Sequence, residues 1–184
     1  MIKSAIPLLG FAAVSGTGKT TLLCKLIPLL KAQGIRISVV KHSHHDFDID
    51  HAGKDSYRLR ESGASNIVIA SQKRTAIIIE HPKDQQDDPT LESALKHIHS
   101  DSCDLILVEG FKQADFPKIE LHRQALDSPY LYPTDSNIIA IALDHELDNT
   151  NKGNDKIPIL LDLNQPHKIV DFIVEKILKK TPWS

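Results

Sequence analysis

The chain has 184 residues, and about 150 residues per domain makes a single domain, 1–184, the expectation. It carries 22 Lys and Arg against 24 Asp and Glu, a formal net charge of −2. That balance excludes a generally basic nucleic-acid binder, because a phosphate footprint needs clustered positive charge. Hydrophobic residues at 41% and charged residues at 25% exclude disorder and low complexity, and a chain of this size buries roughly 70% of its unfolded surface. Cys24 and Cys103 are too few for a disulfide scaffold and are expected reduced and buried. The first residues, Met1-Ile2-Lys3-Ser4, lack the architecture of a signal peptide, and no run of about 18 apolar residues exists. A soluble cytoplasmic protein without nucleic-acid or membrane partners is therefore expected. One feature is unusual: ten histidines, four of them between His42 and His51.

In chain order, Ala5 to Val14 is an almost continuous apolar run, suited to a strand buried on both faces of a parallel sheet. Ser15 to Gly18 breaks it. Lys19 to Gln33 reads as a helix with Leu22, Leu23, Leu26, Ile27, Leu29 and Leu30 on or near one face and Gly34 as its stop. Pro28 inside that helix predicts a kink. Ile35 to Val40 is a second strand, completing a right-handed parallel βαβ unit. His42 to Gly53 is polar, acidic and without period, hence a loop. Lys54 to Ser62 is a short helix stopped by Gly63. Asn66 to Ala70 and Thr75 to Glu80 flank the turn Ser71-Gln72-Lys73-Arg74 as a hairpin.

Gln85 to Pro89 reads as a loop, and Thr90 caps a helix through about His99. Asp104 to Val108 is a strand ending at Glu109-Gly110. Lys118 to His122 alternates polar and apolar, the pattern of a half-exposed strand. Ile138 to Leu143 and Ile157 to Leu161 are further buried strands, with Asn149 to Asp155 as a link between them. The last helix is amphipathic through Ile169, Val170, Phe172, Ile173, Ile177 and Leu178, with Pro166 in its first turn. The alternation of strands and helices predicts a three-layer α/β fold: a mainly parallel sheet flanked by helices, with a β-hairpin insertion.

The strongest chemical signal is Ala13-Val14-Ser15-Gly16-Thr17-Gly18-Lys19-Thr20-Thr21. It matches the phosphate-loop pattern G-x-x-x-x-G-K-[ST] at every fixed position except the first, where Ala13 replaces Gly. Small residues let successive amides converge on a phosphate, and the helix beginning at Gly18 adds the positive end of its dipole. Ser15, Gly16, Thr17, Gly18, Lys19, Thr20 and Thr21 are the candidate nucleotide-binding residues. Lys19 is placed to reach the β- and γ-phosphates, and the Thr20 hydroxyl to ligate Mg²⁺. The Ala13 departure matters only if that position needs a positive φ.

A second metal-organising acid belongs at the carboxyl end of a neighbouring strand, where parallel sheets meet their ligands. Glu109 stands at such an end; Asp104 stands at the opposite one. The loop after the second strand, Lys41-His42-Ser43-His44-His45-Asp46-Phe47-Asp48-Ile49-Asp50-His51, lies at the same edge. It reads as a switch-like loop whose acids, Asp46, Asp48 or Asp50, approach Mg²⁺ or its waters while its basic groups, Lys41, His42, His44 and His45 among them, meet phosphate. Two other readings stay open: a transition-metal site built from the histidines, and a plain solvated loop. Lys54, Arg58 and Arg60 read as a solvated helix face, with contact of one or two of them to an anionic ligand as the other reading. Asp144 follows the strand Ile138 to Leu143, where a carboxylate could accept the N1 and N2 protons of guanine, although the usual Asn-Lys-x-Asp tetrapeptide is absent.

Together these stretches resemble one family, the molybdopterin-guanine dinucleotide biosynthesis protein B family. The residues that carry the resemblance are Ser15 to Leu23, Val40-Lys41-His42-Ser43-His44-His45-Asp46, Gly53-Lys54-Asp55-Ser56-Tyr57, Ala70-Ser71-Gln72 and Leu105-Ile106-Leu107-Val108-Glu109-Gly110-Phe111-Lys112. The phosphate loop is shared by many nucleotidases and kinases; the His-x-His-His-Asp segment joined to Val-Glu-Gly-Phe-Lys is specific. The resemblance implies a P-loop nucleoside triphosphatase fold and a GTP-binding accessory protein of molybdenum cofactor maturation. It further implies Mg²⁺, weak GTP hydrolysis at most, a homodimer formed through the hairpin, and work beside the guanylyltransferase that joins GMP to molybdopterin. Two rival classes are a small-molecule kinase, with Arg58, Arg60 and Arg74 as lid candidates, and a metal-delivery GTPase using the histidine loop.

Overall fold

A computed structural model describes residues 2–43, 47–82, 88–146 and 157–179. In chain order the strands are β1 (Leu8–Ala12), β2 (Ile37–Lys41), β3 (Asn66–Ala70), β4 (Thr75–Ile79), β5 (Leu105–Glu109), β6 (Lys118–His122), β7 (Ile138–Leu143) and β8 (Ile159–Asp162). The helices are α1 (Lys19–Ala32), α2 (Asp55–Glu61), α3 (Leu91–Leu95) and α4 (Pro166–Ile173). They divide into two compact units, one of Met1–His42 with Thr90–Ser184 and one of Ser43–Pro89.

The larger unit is built on a six-stranded sheet of order β2-β5-β1-β6-β7-β8, every pair of which is parallel. The expected βαβ unit is there as β1, α1 and β2, but β1 and β2 do not pair: β5 lies between them and bonds to both. This ordering places the carboxyl ends of β2, β5, β1, β6 and β7 along one edge, the edge at which parallel α/β sheets bind ligands.

The sheet is covered on both sides. On one face Leu9, Phe11, Leu105, Leu107, Ile119, Leu121, Ala140 and Ala142 meet Leu22, Leu23, Leu26 and Leu30 of α1 and Ile169, Val170 and Ile173 of α4. On the other, Leu8, Val40, Ile106 and Val108 meet Leu91, Cys103 and Phe116, while Ile138, Ile141 and Leu143 meet Tyr130, Leu131 and Tyr132. Strand runs such as Leu-Leu-Gly-Phe-Ala are apolar throughout because both of their faces are buried.

The structure corrects several expectations. β6 is not half exposed: all five of its residues are buried. Ile119 and Leu121 point into the α1/α4 core, and the three polar residues meet a covering segment instead of water. Lys118 Nζ donates to Asp135 Oδ2 at 2.8 Å and to the Lys112 carbonyl at 2.7 Å. Glu120 accepts the amides of Leu131 and Tyr132 at 2.8 and 2.9 Å. The His122 ring places Nε2 2.8 Å from the Ser128 carbonyl and stacks on Tyr130. Lys118 and Glu120, met in this way, do not carry the penalty that a sequence pattern assigns them; His122 is met at Nε2 only, its Nδ1 being buried without a hydrogen-bond partner among the described residues.

Cys24 is exposed on α1, whereas Cys103 is buried as expected. The helix expected through His99 is shorter: Thr90 Oγ1 accepts the Ser93 amide at 3.1 Å as its cap, but α3 ends at Leu95 and the chain tightens into turns at His97 and Ile98. Pro28 lies inside α1. α4 starts with Pro166 at its first turn and continues as a wider π-type turn over Val174–Leu178.

In the smaller unit, β3 and β4 pair antiparallel, Asn66 with Ile79 through Ala70 with Thr75. Ser71 closes the turn, its amide and its hydroxyl both donating to the Arg74 carbonyl. Arg60 is not on a solvated face. Its Nη2 lies 2.8 Å from Asp48 Oδ1 and 3.2 Å from Asp50 Oδ1, and its Nη1 faces Glu61 and Glu80. The guanidinium also sits over the Tyr57 ring, 5.1 Å from its centroid. Asp48, a candidate of the histidine loop, is thus engaged within this unit. His44, His45 and Asp46 lie outside the described residues, as does the expected link Asn149 to Asp155.

Candidate nucleotide-binding site

β1 delivers the chain to a tight turn before α1. Gly18 has φ +96 and stands at the N-cap of the helix without a capping side chain. A residue with a Cβ is strained at that φ, so glycine is required here. Ala13 is buried and has a negative φ, so its methyl group is accommodated and the departure from the pattern costs nothing. Thr17 is fully buried and its hydroxyl donates to the Val14 carbonyl at 2.9 Å, closing the loop from inside. Ser15 and Gly16 remain exposed at the tip, and Thr20 and Thr21 are exposed on the first turn of α1.

Lys19 folds over the loop, its Nζ donating to the carbonyls of Ala13 and Val14 at 3.2 and 3.1 Å. Burial, and after it the neighbouring cation Lys112, hold its ammonium below the ordinary lysine range; Glu109 pulls the other way, and Lys41 adds to the lowering. A cation wrapped on a turn of backbone amides is the arrangement that grips a polyphosphate.

The Thr20 hydroxyl donates to Glu109, with Oε1 at 3.1 Å and Oε2 at 3.2 Å. These two residues are 89 positions apart; β1 and β5 bring them together by pairing in register, Phe11 with Glu109. Lys41, the last residue of β2, adds its Nζ at 3.3 Å from Glu109 Oε1. Gly110 follows with φ +96, and a Cβ there would fall 2.6 Å from His42 Cβ. Only glycine allows β2 to leave the sheet so close to β5. His42 then stacks on Phe111, centroids 4.7 Å apart. A hydroxyl beside a carboxylate is a hard-oxygen donor set of the type Mg²⁺ takes, with phosphate oxygens and waters as its other ligands. Among the described residues no group of three His, Cys, Asp or Glu is placed to hold a metal on its own.

Asp144 lies just past β7. Burial pushes its carboxyl up, but hydrogen bonds from His145, the Gln124 amide and Arg123 outweigh that and hold it below the ordinary aspartate range. Oδ1 accepts the Gln124 amide at 3.1 Å and lies 3.0 Å from His145 Nδ1; Oδ2 accepts Arg123 Nη1 at 3.1 Å. A carboxylate offers about four acceptor positions, and three are used here. Arg123 is a residue that no motif in the sequence singles out. Arg123 Nε donates to the Thr17 carbonyl at 2.8 Å. The available signal was positional: Arg123 is the first residue after β6, which borders β1, so it leaves the sheet at the ligand edge.

The structure therefore brings Lys19, Thr20, Glu109 and Lys41 into one cluster, with Thr17, Arg123 and Asp144 in a second chain of contacts beside it. Residues 8–144 match the family model described as molybdopterin guanine dinucleotide synthesis protein B. The chain is 46% identical to the molybdopterin-guanine dinucleotide biosynthesis adapter protein of Escherichia coli (strain K12), over 97% of both chains. It is 44% identical to the protein of the same name from Haemophilus influenzae, over 94% of this chain and 90% of the other. Among solved structures, a crystal structure of molybdopterin-guanine biosynthesis protein B superposes with a TM-score of 0.64 at 25% identity, covering 91% of this chain and 98% of that one. The crystal structure of Bacillus subtilis MobB superposes with a TM-score of 0.69 at 20% identity, covering 94% and 98%, which supports the fold. The chain belongs to the molybdopterin guanine dinucleotide synthesis protein B family.

Proposed function

We propose that this chain is a GTP-binding adapter in molybdopterin guanine dinucleotide biosynthesis, working in the cytoplasm beside the guanylyltransferase that attaches GMP to molybdopterin. The observation that carries the reading is the meeting of Thr20 with Glu109 at the mouth of the phosphate loop, in a chain whose bacterial relatives bear the adapter name over nearly their full length. Ser15, Gly16, Thr17 and Gly18 supply amides to the phosphates and Lys19 supplies charge. Thr20 and Glu109 would hold Mg²⁺, which would neutralise charge on the phosphates. Asp144 reads guanine by accepting one of its N1 and N2 protons, which adenine lacks, at the acceptor position that Arg123, Gln124 and His145 leave open.

Hydrolysis is slow at most. Arg60, one of the arginines that a kinase-type lid would use, is committed to Asp48 and Asp50. An arginine supplied by a partner would be worth about 10³–10⁵ in rate. Lys41, His42, His44, His45 and Asp48 form the segment that senses nucleotide or meets the pterin.

The adapter works as a homodimer through its hairpin. A two-stranded sheet alone is marginal in water, and β3 and β4 expose Val68 and Ile77, 64% and 53% accessible, together with Ile79 on the same face. A second copy covers these side chains. Light scattering after size exclusion gives twice the chain mass for the native protein and the single-chain mass for Val68→Glu with Ile77→Glu. A native monomer at micromolar concentration contradicts the dimer. For the nucleotide, Asp144→Asn exchanges GTP preference for XTP, whose base presents a carbonyl where guanine presents an amine; unchanged GTP preference in that variant removes Asp144 as the reader.

A further inference from the structure

Arg123 contacts both the phosphate loop and the carboxylate at the end of β7. Its Nε donates to the Thr17 carbonyl at 2.8 Å, and its Nη1 donates to Asp144 Oδ2 at 3.1 Å. Thr17 is buried inside the loop, and its hydroxyl fixes Val14 from the other side. The guanidinium also approaches the turn itself: Nη2 would lie 3.8 Å from a Cβ at Gly18. Asp144 is fastened in turn by the Gln124 amide and His145, and His145 Nε2 lies 3.4 Å from the Tyr130 hydroxyl. A planar, permanently charged fork with donors at fixed angles suits a bridge of this kind; a lysine presents one point and cannot span both acceptors.

We propose that Arg123 is a positioning residue of the phosphate loop, held in place by Asp144, so that Asp144 supports the binding of polyphosphate independently of any base. This rests on the reading of the loop as a nucleotide site. It has a consequence opposite to simple electrostatics. Removing a carboxylate near an anion site should tighten anion binding by Coulomb's law. Here the removal frees Arg123 from one anchor, loosens its hold on the Thr17 carbonyl, and weakens the grip of the loop.

The test uses inorganic tripolyphosphate with magnesium, titrated calorimetrically into the full chain, because this ligand has no base for Asp144 to read. Asp144→Ala weakens tripolyphosphate binding roughly tenfold, the scale of one charge-assisted hydrogen bond. Arg123→Lys, which keeps the charge and loses the fork, weakens it by a similar factor, and combining the two substitutions adds nothing further. Asp144→Asn, which preserves shape, shows the same direction with a smaller change and serves if the alanine variant does not fold. Tripolyphosphate binding that is unchanged or tighter in folded Asp144 variants overturns the bridge while leaving the nucleotide site intact. A native chain that binds GTP but not tripolyphosphate overturns it too. Failure of the native chain to bind either ligand overturns the underlying site as well, and is thereby distinguishable.

Discussion

The Thr20 hydroxyl and the Glu109 carboxylate meet at 3.1 Å although 89 residues separate them. Each stands where its backbone leaves the same edge of the sheet, Thr20 on the first turn after β1 and Glu109 as the last residue of β5. If this pair organises Mg²⁺, it controls the metal-dependent part of nucleotide affinity. Glu109→Gln keeps the shape and removes the charge. GTP affinity in that variant should become nearly independent of magnesium, whereas the native protein binds more tightly with magnesium than with EDTA. Titration with and without the ion checks this; equal magnesium dependence in both proteins removes Glu109 from the metal site.

Lys19 makes a prediction in pH. Burial and its cationic neighbours lower its ammonium below the usual lysine range, so its charge is lost earlier on the alkaline side than that of a free lysine. Triphosphate affinity should fall as pH rises through that lowered value. Arg stays protonated throughout, so Lys19→Arg should show a flatter profile between neutral pH and pH ~10, even if its affinity at neutral pH is lower. Parallel profiles for the two proteins contradict the assignment.

Lys118 and Asp135 predict stability. The Lys118 side chain is 3% exposed and depends on Asp135 Oδ2 at 2.8 Å. Burial pushes the Asp135 carboxyl up, but the hydrogen bond from Lys118 and the Asn137 amide hold it low overall. Asp135→Ala leaves a buried ammonium short of its counter-charge, at a cost of about 3 kcal/mol or more. Adding Lys118→Met to it should restore part of the loss, because a buried pair replaced by apolar groups is close to neutral. Urea unfolding of the two single variants and the double variant measures the coupling; additive losses refute it.

Asp104 predicts an acid limit. Hydrogen bonds from the Arg36 side chain and the Arg36 amide lower its carboxyl from 3.8 to about 2. A carboxyl depressed in the folded state binds its proton more readily when unfolded. Its stabilising contribution is therefore complete above about pH 4 and is lost as pH falls from there towards 2. Asp104→Asn should flatten the stability profile in that window and leave neutral-pH nucleotide binding unchanged. A profile as steep as that of the native chain places the acid sensitivity elsewhere.

The two thiols predict a simple readout. Cys24 is exposed and Cys103 is buried, so the folded chain should react with a thiol reagent at one position and the unfolded chain at two. Protection of both in the native state returns to the expectation from composition.

Much of this architecture was legible in the sequence because its strands are buried on both faces and its phosphate loop has a fixed spacing. Leu105 to Val108 could be placed from apolarity alone, and Glu109 at its end followed from the rule that parallel strands present their carboxyl ends to a ligand. The hairpin was readable from Ser71 to Arg74 between two β-branched runs. Alternation misled for β6, since Lys118, Glu120 and His122 look solvent-facing until Asp135, Leu131, Tyr132 and Ser128 come over them from later in the chain. Cys24 lies on the exposed side of α1, a matter of helix phase that composition cannot report. Arg60 looked like one of several helix-surface charges because its partners Asp48 and Asp50 come from a segment without a period. Arg123 carries no motif, and its contacts to Thr17 and Asp144 span 106 and 21 residues; only the folded edge of the sheet assembles them.

The central claim is that the turn before α1 grips a nucleoside triphosphate, and calorimetric titration of GTP and ATP into the full chain in magnesium buffer tests it most directly. The account predicts saturable GTP binding, weaker ATP binding, and a loss of roughly a hundredfold or more in a folded Lys19→Ala variant. Absence of heat with either nucleotide, or GTP affinity equal in the native and Lys19→Ala chains, would contradict it.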